Sequence, residues 1–119
     1  VTGKQVRDLL LPDDLFALIE TEYLHIDRCA GQTFNIGGGV QGSTSLRHYT
    51  ELCRKITGNQ VEMSSDPATA KVDVPYYASD NSKASDHLDW RPKKGVRDIV
   101  EDIFDWLKAA QDRVRPIFD

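Results

Sequence analysis

The sequence predicts an α/β fold in which short strands, expected to run parallel, alternate with about four helices. Three observations lead to this prediction. Apolar residues recur at helical spacing in four segments, short apolar runs lie between them, and glycine or proline stands at most boundaries. With 119 residues, 39% of them apolar and 29% charged, the chain has the composition of one ordinary globular domain or of part of one.

The N-terminal part is predicted to contain one strand and one helix. The segment from Gly3 to Leu11 begins polar and ends in three leucines, which is typical of a strand, and proline ends it. Apolar residues then recur on one helical face over residues 15–26, and Gly31 follows as a stop signal. We expect Asp13 or Asp14 to cap this helix, because a carboxylate accepts hydrogen bonds from the free amides of a first turn.

The next segment has the pattern of one β-α-β unit. Thr33–Ile36 is a short apolar run, and a glycine-rich turn and an apolar helical stripe follow it. Ser43 or Ser45 is expected to cap this helix, and Gly58 is expected to end it in a left-handed conformation. Gln60–Met63 is interpreted as a second strand, which would run parallel to the first.

The C-terminal part is predicted to be a loop followed by two helices. Ser64–Pro75 is polar and rich in turn formers, so it is expected to be irregular. Asp80 should cap a short helix that ends near Leu88, and a final helix with a broad apolar face should run from about Val96 to Arg113. Amphipathic elements need an opposing layer, so the apolar side of residues 15–26 should remain exposed in this chain alone.

Composition and charge exclude several functional classes. A net charge of −4 gives no sign of a nucleic-acid-binding surface, and no apolar run reaches membrane-spanning length. Cys29 and Cys53 are too few for a disulfide framework, so reduced, packed thiols in a cytoplasmic protein are expected. The three histidines lie in separate elements without metal-ligand spacing, so no metal site is predicted.

The stretch Gly37–Gly42 reads G-x-G-x-x-G between an apolar run and a helix, which is the context of a dinucleotide-binding fingerprint. Glu62, 20 residues further on, lies near the place of a ribose-binding acid. However, the first strand is short, and no further β-α-β units follow to complete a nucleotide-binding sheet. A structural turn is therefore favoured. A stand-alone binding module with a phosphate-binding glycine turn remains the alternative.

Several segments taken in order resemble the C-terminal part of an extended short-chain dehydrogenase/reductase. The resemblance is to the NAD-dependent nucleotide-sugar epimerase/dehydratase family, and to CDP-tyvelose/CDP-paratose 2-epimerases more than to UDP-galactose 4-epimerases. It covers essentially the whole chain, and it rests on the order and spacing of its segments: Gly3–Asp8 with Asp13–Leu15, Phe34–Gly39 with Ser45–Leu46, Asp73–Tyr77, Ser79–Ala84, Leu88–Pro92 and a closing helix with Trp106.

The resemblance implies that residues 1–119 are the C-terminal substrate-binding region of a longer enzyme, without the Rossmann core. In that family the NAD fingerprint lies at the N-terminus of the full protein, and catalysis uses a Tyr-x-x-x-Lys pair. No tyrosine here has a lysine four residues on. NAD is therefore expected in the parent enzyme, where a hydride is removed from a sugar carbon and returned, and not on this fragment. The missing Rossmann domain and, in the full-length protein, a second copy of the chain are the expected protein partners. The chain starts at Val1 and its one methionine is Met63, which also favours a piece of a longer polypeptide.

The resemblance also implies a set of substrate-binding residues. Arg7 matches an arginine that contacts the diphosphate, and its guanidinium suits that role because it donates two hydrogen bonds at once. A surface arginine paired with Asp8 or Asp13 is the alternative. Asp73 matches an acidic position near the nucleotide ribose, and Tyr77 matches an aromatic position at the sugar pocket. Relatives commonly carry a second phosphate-binding arginine where this chain has Ala70, so Lys71 is the candidate substitute. No catalytic or cofactor-binding residue is assigned.

Overall fold

The computed structural model describes residues 3–64 and 73–118, apart from the side chain of Phe118. Within these residues the chain forms two short strands and six helices. The strands are β1 (Val6–Asp8) and β2 (Ser43–Ser45); the helices are α1 (Pro12–Leu24), α2 (Ile26–Cys29), α3 (Leu46–Thr57), α4 (Ser82–Leu88), α5 (Val96–Ala109) and α6 (Gln111–Phe118). The α/β class is confirmed. Two of the four predicted helices are each divided into two in the structure. The first is interrupted at His25, between α1 and α2, and the last at Ala110, between α5 and α6.

The predicted parallel β-α-β unit is wrong. β1 and β2 form an antiparallel pair in which Val6 lies opposite Ser45. Neither Thr33–Ile36 nor Gln60–Met63 is a strand in the part of the chain that the structure describes. A strand exists only through its ladder of backbone hydrogen bonds, and an apolar run does not specify where a partner lies.

Parallel pairing occurs instead beside β1, where the 73–77 segment runs alongside Val6. The Val6 N–H donates to the Pro75 carbonyl at 3.0 Å, and the Tyr77 N–H donates to the Val6 carbonyl at 3.1 Å. These two bonds form an isolated parallel bridge between Val6 and Tyr76. The segment predicted to be an irregular loop therefore ends in an extended piece that is fixed against β1.

Both ends of α3 follow the sequence prediction. The Ser45 hydroxyl accepts from the His48 N–H at 3.2 Å, and Gly58 ends α3 with φ of 74°. The predicted cap of α4 at Asp80 is wrong, because Asn81 stands at the cap position and makes no side-chain cap hydrogen bond. Asp80, one residue earlier, accepts from the Ser82 N–H at 2.9 Å, and hydrogen bonds from the Ser82 hydroxyl and N–H lower the pKa of Asp80. Side-chain oxygens of these residue types bind free amides in a first turn, which is why local sequence predicts them well.

The predicted aspartate cap of α1 is wrong. Pro12 occupies the first turn and Leu11 stands at the cap position without a side-chain hydrogen bond. Asp14 is instead buried, and its carboxylate accepts from the Lys94 N–H at 3.0 Å. Its carbonyl also accepts from the Trp90 indole N–H at 3.0 Å. Asp14 thus joins α1 to the connection between α4 and α5.

A small apolar core lies between α1, α2 and α4. It consists of Leu18, Cys29, Ala84, Leu88 and Trp90, with Leu10, Phe34 and Ile36 packed against it. Both cysteines are free thiols, as predicted.

The rest of the α1 apolar side is exposed, which confirms the sequence prediction: Phe16, Ile19, Tyr23 and Leu24 each expose more than half of their surface. Among the described residues, no helix has the length and apolar character needed to cross a membrane.

Candidate functional site

The extended backbone around β1 separates its side chains into two sets. Side chains alternate between the faces of a strand, so Gln5, Arg7 and Leu9 lie on one side, while Val6 and Asp8 lie on the other. The first side borders a cavity, and the second contacts the glycine loop, which is the Gly37–Gly42 stretch. Each side therefore has its own role.

The cavity has a volume of about 550 Å³, and both strands, α3 and the 73–77 segment contribute to it. The antiparallel register places Thr44 directly opposite Arg7, and the chain then enters α3, which contributes Leu46 and Tyr49. Burial and the neighbouring Cys53 thiol raise the pKa of Tyr49. Among the described residues, the cavity is lined by Gln5, Arg7, Leu9, Thr44, Leu46, Tyr49 and Asp73.

Arg7 and Asp73, two of the predicted substrate-binding residues, meet at this cavity although 66 positions separate them. The Arg7 Nη2 donates to Asp73 Oδ1 at 2.9 Å, and Nη1 donates to the Val6 carbonyl at 2.8 Å. The arginine side chain is 43% exposed, so this ion pair contributes at most about 1 kcal/mol to stability. The ion-pair partner of Arg7 is therefore Asp73, another residue of the candidate site. In the described structure Arg7 makes no ion pair with Asp8 or Asp13, the alternative partners.

Gln5 also contacts Asp73, and sequence reasoning missed it. Its amide Nε2 donates to Asp73 Oδ2, so each oxygen of this carboxylate accepts from a different side chain. The spacing could have indicated Gln5 as a site residue, because it stands two positions before Arg7 in an extended segment and lies on the same face. Thr44 and Tyr49 were also missed, since only the β1–β2 register brings them to the cavity.

A third predicted residue, Tyr77, is not part of this lining. Tyr77 is 55% exposed, and its described contact is the backbone bond to Val6. Lys71 lies outside the described residues, as does Ala70. Within residues 3–64 and 73–118, no group of three histidine, cysteine or carboxylate side chains could hold a metal ion.

The glycine loop is fastened to the opposite side of β1 through its backbone amides. The Gly39 N–H donates to Asp8 Oδ2 at 2.9 Å, and the Gly37 N–H donates to the Asn81 side chain at 3.0 Å. The Gly42 N–H donates to the Gly38 carbonyl at 3.1 Å. A phosphate-binding loop needs such amides free to point at the ligand, whereas the amides of these three glycines donate within the chain.

Close packing explains why glycine is needed here. A Cβ on Gly38 would lie 2.0 Å from the Leu9 carbonyl oxygen, and one on Gly37 would lie 2.4 Å from Asp8 Oδ2. Gly39 has φ of 67°, a conformation that side chains disfavour. The structural interpretation of the G-x-G-x-x-G stretch is thus supported over a phosphate-binding turn.

Asp8 holds this loop together with the segment that precedes α4. Its Oδ2 accepts from the Ser79 N–H at 3.0 Å in addition to the Gly39 N–H. Burial alone would raise the pKa of Asp8, but the bonds from the Ser79 and Gly39 amides outweigh burial and lower it. The carboxylate is therefore an ionised anchor immediately beside the cavity.

Comparison with known proteins identifies relatives. No protein-family model matches the chain. It is 31% identical over 107 residues to the CDP-paratose 2-epimerase of Salmonella typhi, a match that covers 90% of this chain and 31% of that protein. The UDP-glucose 4-epimerase of Thermotoga maritima, solved with UDP-glucose, matches 85% of this chain and 31% of its own, with a TM-score of 0.69 and 29% identity.

A third match supports the fold alone. The dTDP-glucose 4,6-dehydratase of Bacillus anthracis, solved in complex with NAD, has a TM-score of 0.73 at 22% identity, and the match covers 98% of this chain and 35% of that one. These matches define the class: the chain has the fold of a portion of an extended short-chain dehydrogenase/reductase. Within that class it belongs to the nucleotide-sugar epimerase and dehydratase family, as its motifs predicted. It spans about one third of the length of these relatives.

Proposed function

We propose that this chain is the C-terminal region of a longer NAD-dependent nucleotide-sugar epimerase and that it positions the nucleoside-diphosphate sugar. The observation that carries the proposal is the meeting of Arg7 and Asp73 at a cavity of about 550 Å³. This volume lies within the range of small-molecule sites. The pair supplies a cationic donor and an anionic acceptor at one end of the cavity, which suits a ligand with both phosphate and hydroxyl groups.

Arg7 is the diphosphate-binding group in this proposal. A guanidinium has five N–H groups, and the two bonds to Asp73 and Val6 leave three for a ligand. The bond to Asp73 keeps the head group at the cavity before substrate arrives, which reduces the conformational freedom lost on binding. Asp73 accepts hydrogen bonds from ribose hydroxyls, Tyr77 borders the sugar, and Lys71 supplies a point charge where relatives carry arginine.

The remaining parts of the enzyme belong to other portions of the polypeptide. NAD and the catalytic tyrosine and lysine are assigned to an N-terminal Rossmann domain. In this chain the Gly37 and Gly39 amides are used internally, and no tyrosine has a lysine four residues on. The exposed apolar side of α1 would be covered by that domain. Assembly of the full-length protein as a homodimer is part of the same proposal. The upstream reading frame tests this division, since an initiator methionine directly before Val1 would contradict it.

The binding role is tested by substituting Arg7 in the full-length protein. Calorimetry against CDP-, UDP- and dTDP-sugars first identifies the ligand. Arg7→Ala should then weaken binding of that ligand by about 1.5–3 kcal/mol, the contribution of a charged hydrogen bond, which corresponds to roughly 10- to 150-fold. Arg7→Lys should recover only part of the lost affinity, because lysine lacks the planar guanidinium that donates two parallel hydrogen bonds.

Two controls make the result specific. Arg97→Ala removes an exposed arginine paired with Glu101 on α5, and it should leave substrate affinity unchanged. NAD affinity should be the same in all variants. Full retention of nucleotide-sugar affinity in Arg7→Ala, or a loss of NAD affinity instead, would show that Arg7 is an ordinary surface residue.

A further inference from the structure

Tyr49 lines the cavity, but the proposed function gives it no role. It lies on α3 one turn after Leu46, which also lines the cavity, so the two side chains share one face of the helix. Together they give the cavity an apolar wall, whereas the lining residues Arg7 and Asp73 are charged. The cavity therefore has a charged part and an apolar part.

The order of the lining residues along the first strand shows which part of a ligand reaches this wall. Leu9, Arg7 and Gln5 stand two residues apart in an extended segment, so successive side chains of this set emerge about 7 Å apart. The Leu46 N–H donates to the Gln5 carbonyl at 3.0 Å, which places the start of α3 at the Gln5 end. Asp73 accepts from both Arg7 and Gln5 and thus lies between them. From Arg7 toward α3, the lining changes from a cation to a carboxylate and then to the apolar wall.

From this order we infer that Tyr49 is a specificity-determining residue, which forms the wall against which the nucleobase lies and restricts that base to a single pyrimidine ring. The inference rests on the proposed function, which assigns the diphosphate to Arg7 and the ribose to Asp73 but leaves the base open. In a nucleoside diphosphate the ribose joins the diphosphate to the base, so the base follows Asp73 in the direction of α3. A base has flat faces that pack well against an aromatic side chain.

The wall is held in place, which is what selection by size requires. In addition to the bond at Gln5, the Arg47 N–H donates to the Gly3 carbonyl at 2.9 Å, so two backbone bonds fasten the start of α3 to the residues before β1. The Tyr49 side chain is half-buried and lies beside the Cys53 thiol, one turn further along the helix. The second ring of a purine would have to take the space of the Tyr49 ring, and such overlap is a means by which a site rejects a larger ligand.

The test measures nucleotide binding to the full-length protein saturated with NAD, so that the probes do not enter the cofactor site. Calorimetry with CDP, UDP and GDP compares one-ring bases with a two-ring base on the same ribose and diphosphate. Tyr49→Val removes the ring, and Tyr49→Phe keeps it; Tyr49→Leu takes the place of the valine variant if valine prevents folding, which thermal melting shows. His48→Val is the matched control, because it removes a ring from an exposed neighbour on α3 at a similar helix propensity.

We expect wild type to bind CDP or UDP at least about tenfold more tightly than GDP, the scale on which the size of a pocket discriminates. In Tyr49→Val the affinity for the preferred pyrimidine nucleotide should fall about fivefold or more, because the packing of the base on the ring is lost. The preference over GDP should fall below about threefold in the same variant. Tyr49→Phe and His48→Val should keep the wild-type preference.

Equal binding of GDP and the pyrimidine nucleotides by wild type would overturn the inference, and it would leave the proposed function intact where Arg7→Ala weakens all three nucleotides. A folded Tyr49→Val variant that keeps the wild-type preference would overturn it as well, even if every affinity falls. A merely structural role of Tyr49 would weaken all three nucleotides equally, so the preference is the measurement that decides. If wild type binds none of the three, the proposed function fails and this inference fails with it.

Discussion

The substitution Asp8→Asn tests how the glycine loop is held beside the cavity. One oxygen of Asp8 accepts from the Gly39 N–H at 2.9 Å and from the Ser79 N–H at 3.0 Å. Bonds to an ionised acceptor contribute about 1.5–3 kcal/mol each, against about 0.5–1.5 kcal/mol for neutral ones. Asparagine keeps the shape but loses the charge, so about 1 kcal/mol is lost per bond. We therefore expect the free energy of unfolding at pH 7 to fall by about 2 kcal/mol.

The pH dependence of the lost free energy of unfolding tests whether the ionised Asp8 carboxylate is its cause. The pKa of Asp8 is lower in the folded state than its ordinary value of 3.8, so its stabilisation is present above that value. The stabilisation is lost as the pH falls through 3.8 toward the folded pKa. Because asparagine does not titrate, the difference between wild type and variant should be constant from pH 7 to pH 5 and should shrink below about pH 4.

Two measurements on the full-length protein check this prediction. Urea unfolding at several pH values gives the difference in free energy, and amide hydrogen exchange at pH 7 shows whether protection falls at Gly39 and Ser79. Asp86→Asn, on the exposed side of α4, is the matched control and should change neither quantity measurably. A deficit below about 0.5 kcal/mol at pH 7, or one that is as large at pH 3 as at pH 7, would refute the anchor role of Asp8.

Two further predictions concern the glycine loop itself. Gly38→Ala should destabilise the protein by at least about 2 kcal/mol or prevent folding, because its Cβ would lie 2.0 Å from the Leu9 carbonyl oxygen; Gly95→Ala, with ordinary contacts at 3.5 Å, should cost about 0.5 kcal/mol in the same urea measurement. An equal cost for both would contradict the packing argument. Residues 1–119 alone should show no saturable NAD binding by calorimetry, since the Gly37 and Gly39 amides are engaged within the chain. Micromolar NAD binding that Gly39→Val abolishes would refute this.

Elements fixed by short-range interactions were predictable from the sequence. The cap of α3 at Ser45, its left-handed end at Gly58 and the bond of Asp80 to the start of α4 each depend on residues within four positions. The type of four helical stretches followed from apolar spacing in the same way. The division of α1 from α2 at His25 did not, because helix ends without a capping signal are poorly determined by sequence.

Elements that depend on distant partners were not predictable. Apolar runs at 33–36 and 60–63 have the composition of strands, yet a strand needs a partner. The observed partner of β1 is Ser43–Ser45, a segment of weak strand character that was predicted to cap a helix. Asp14 illustrates the same limit at a single side chain. Its position two residues after Pro12 is that of a helix cap, but its acceptor groups are used by Lys94 and Trp90, about 80 positions away.

The candidate site was predictable only in part. Family resemblance identified Arg7 and Asp73 separately, but only the β1–β2 register and the parallel contact at Val6 explain why they meet. The same contacts give the two sides of β1 different tasks: Asp8 fastens the glycine loop, and Arg7 faces the cavity. In the proposed function, adjacent residues of opposite charge in one short strand therefore serve stability (Asp8) and ligand binding (Arg7). For this reason, substitution of Asp8 should lower the free energy of unfolding, whereas substitution of Arg7 should chiefly lower ligand affinity.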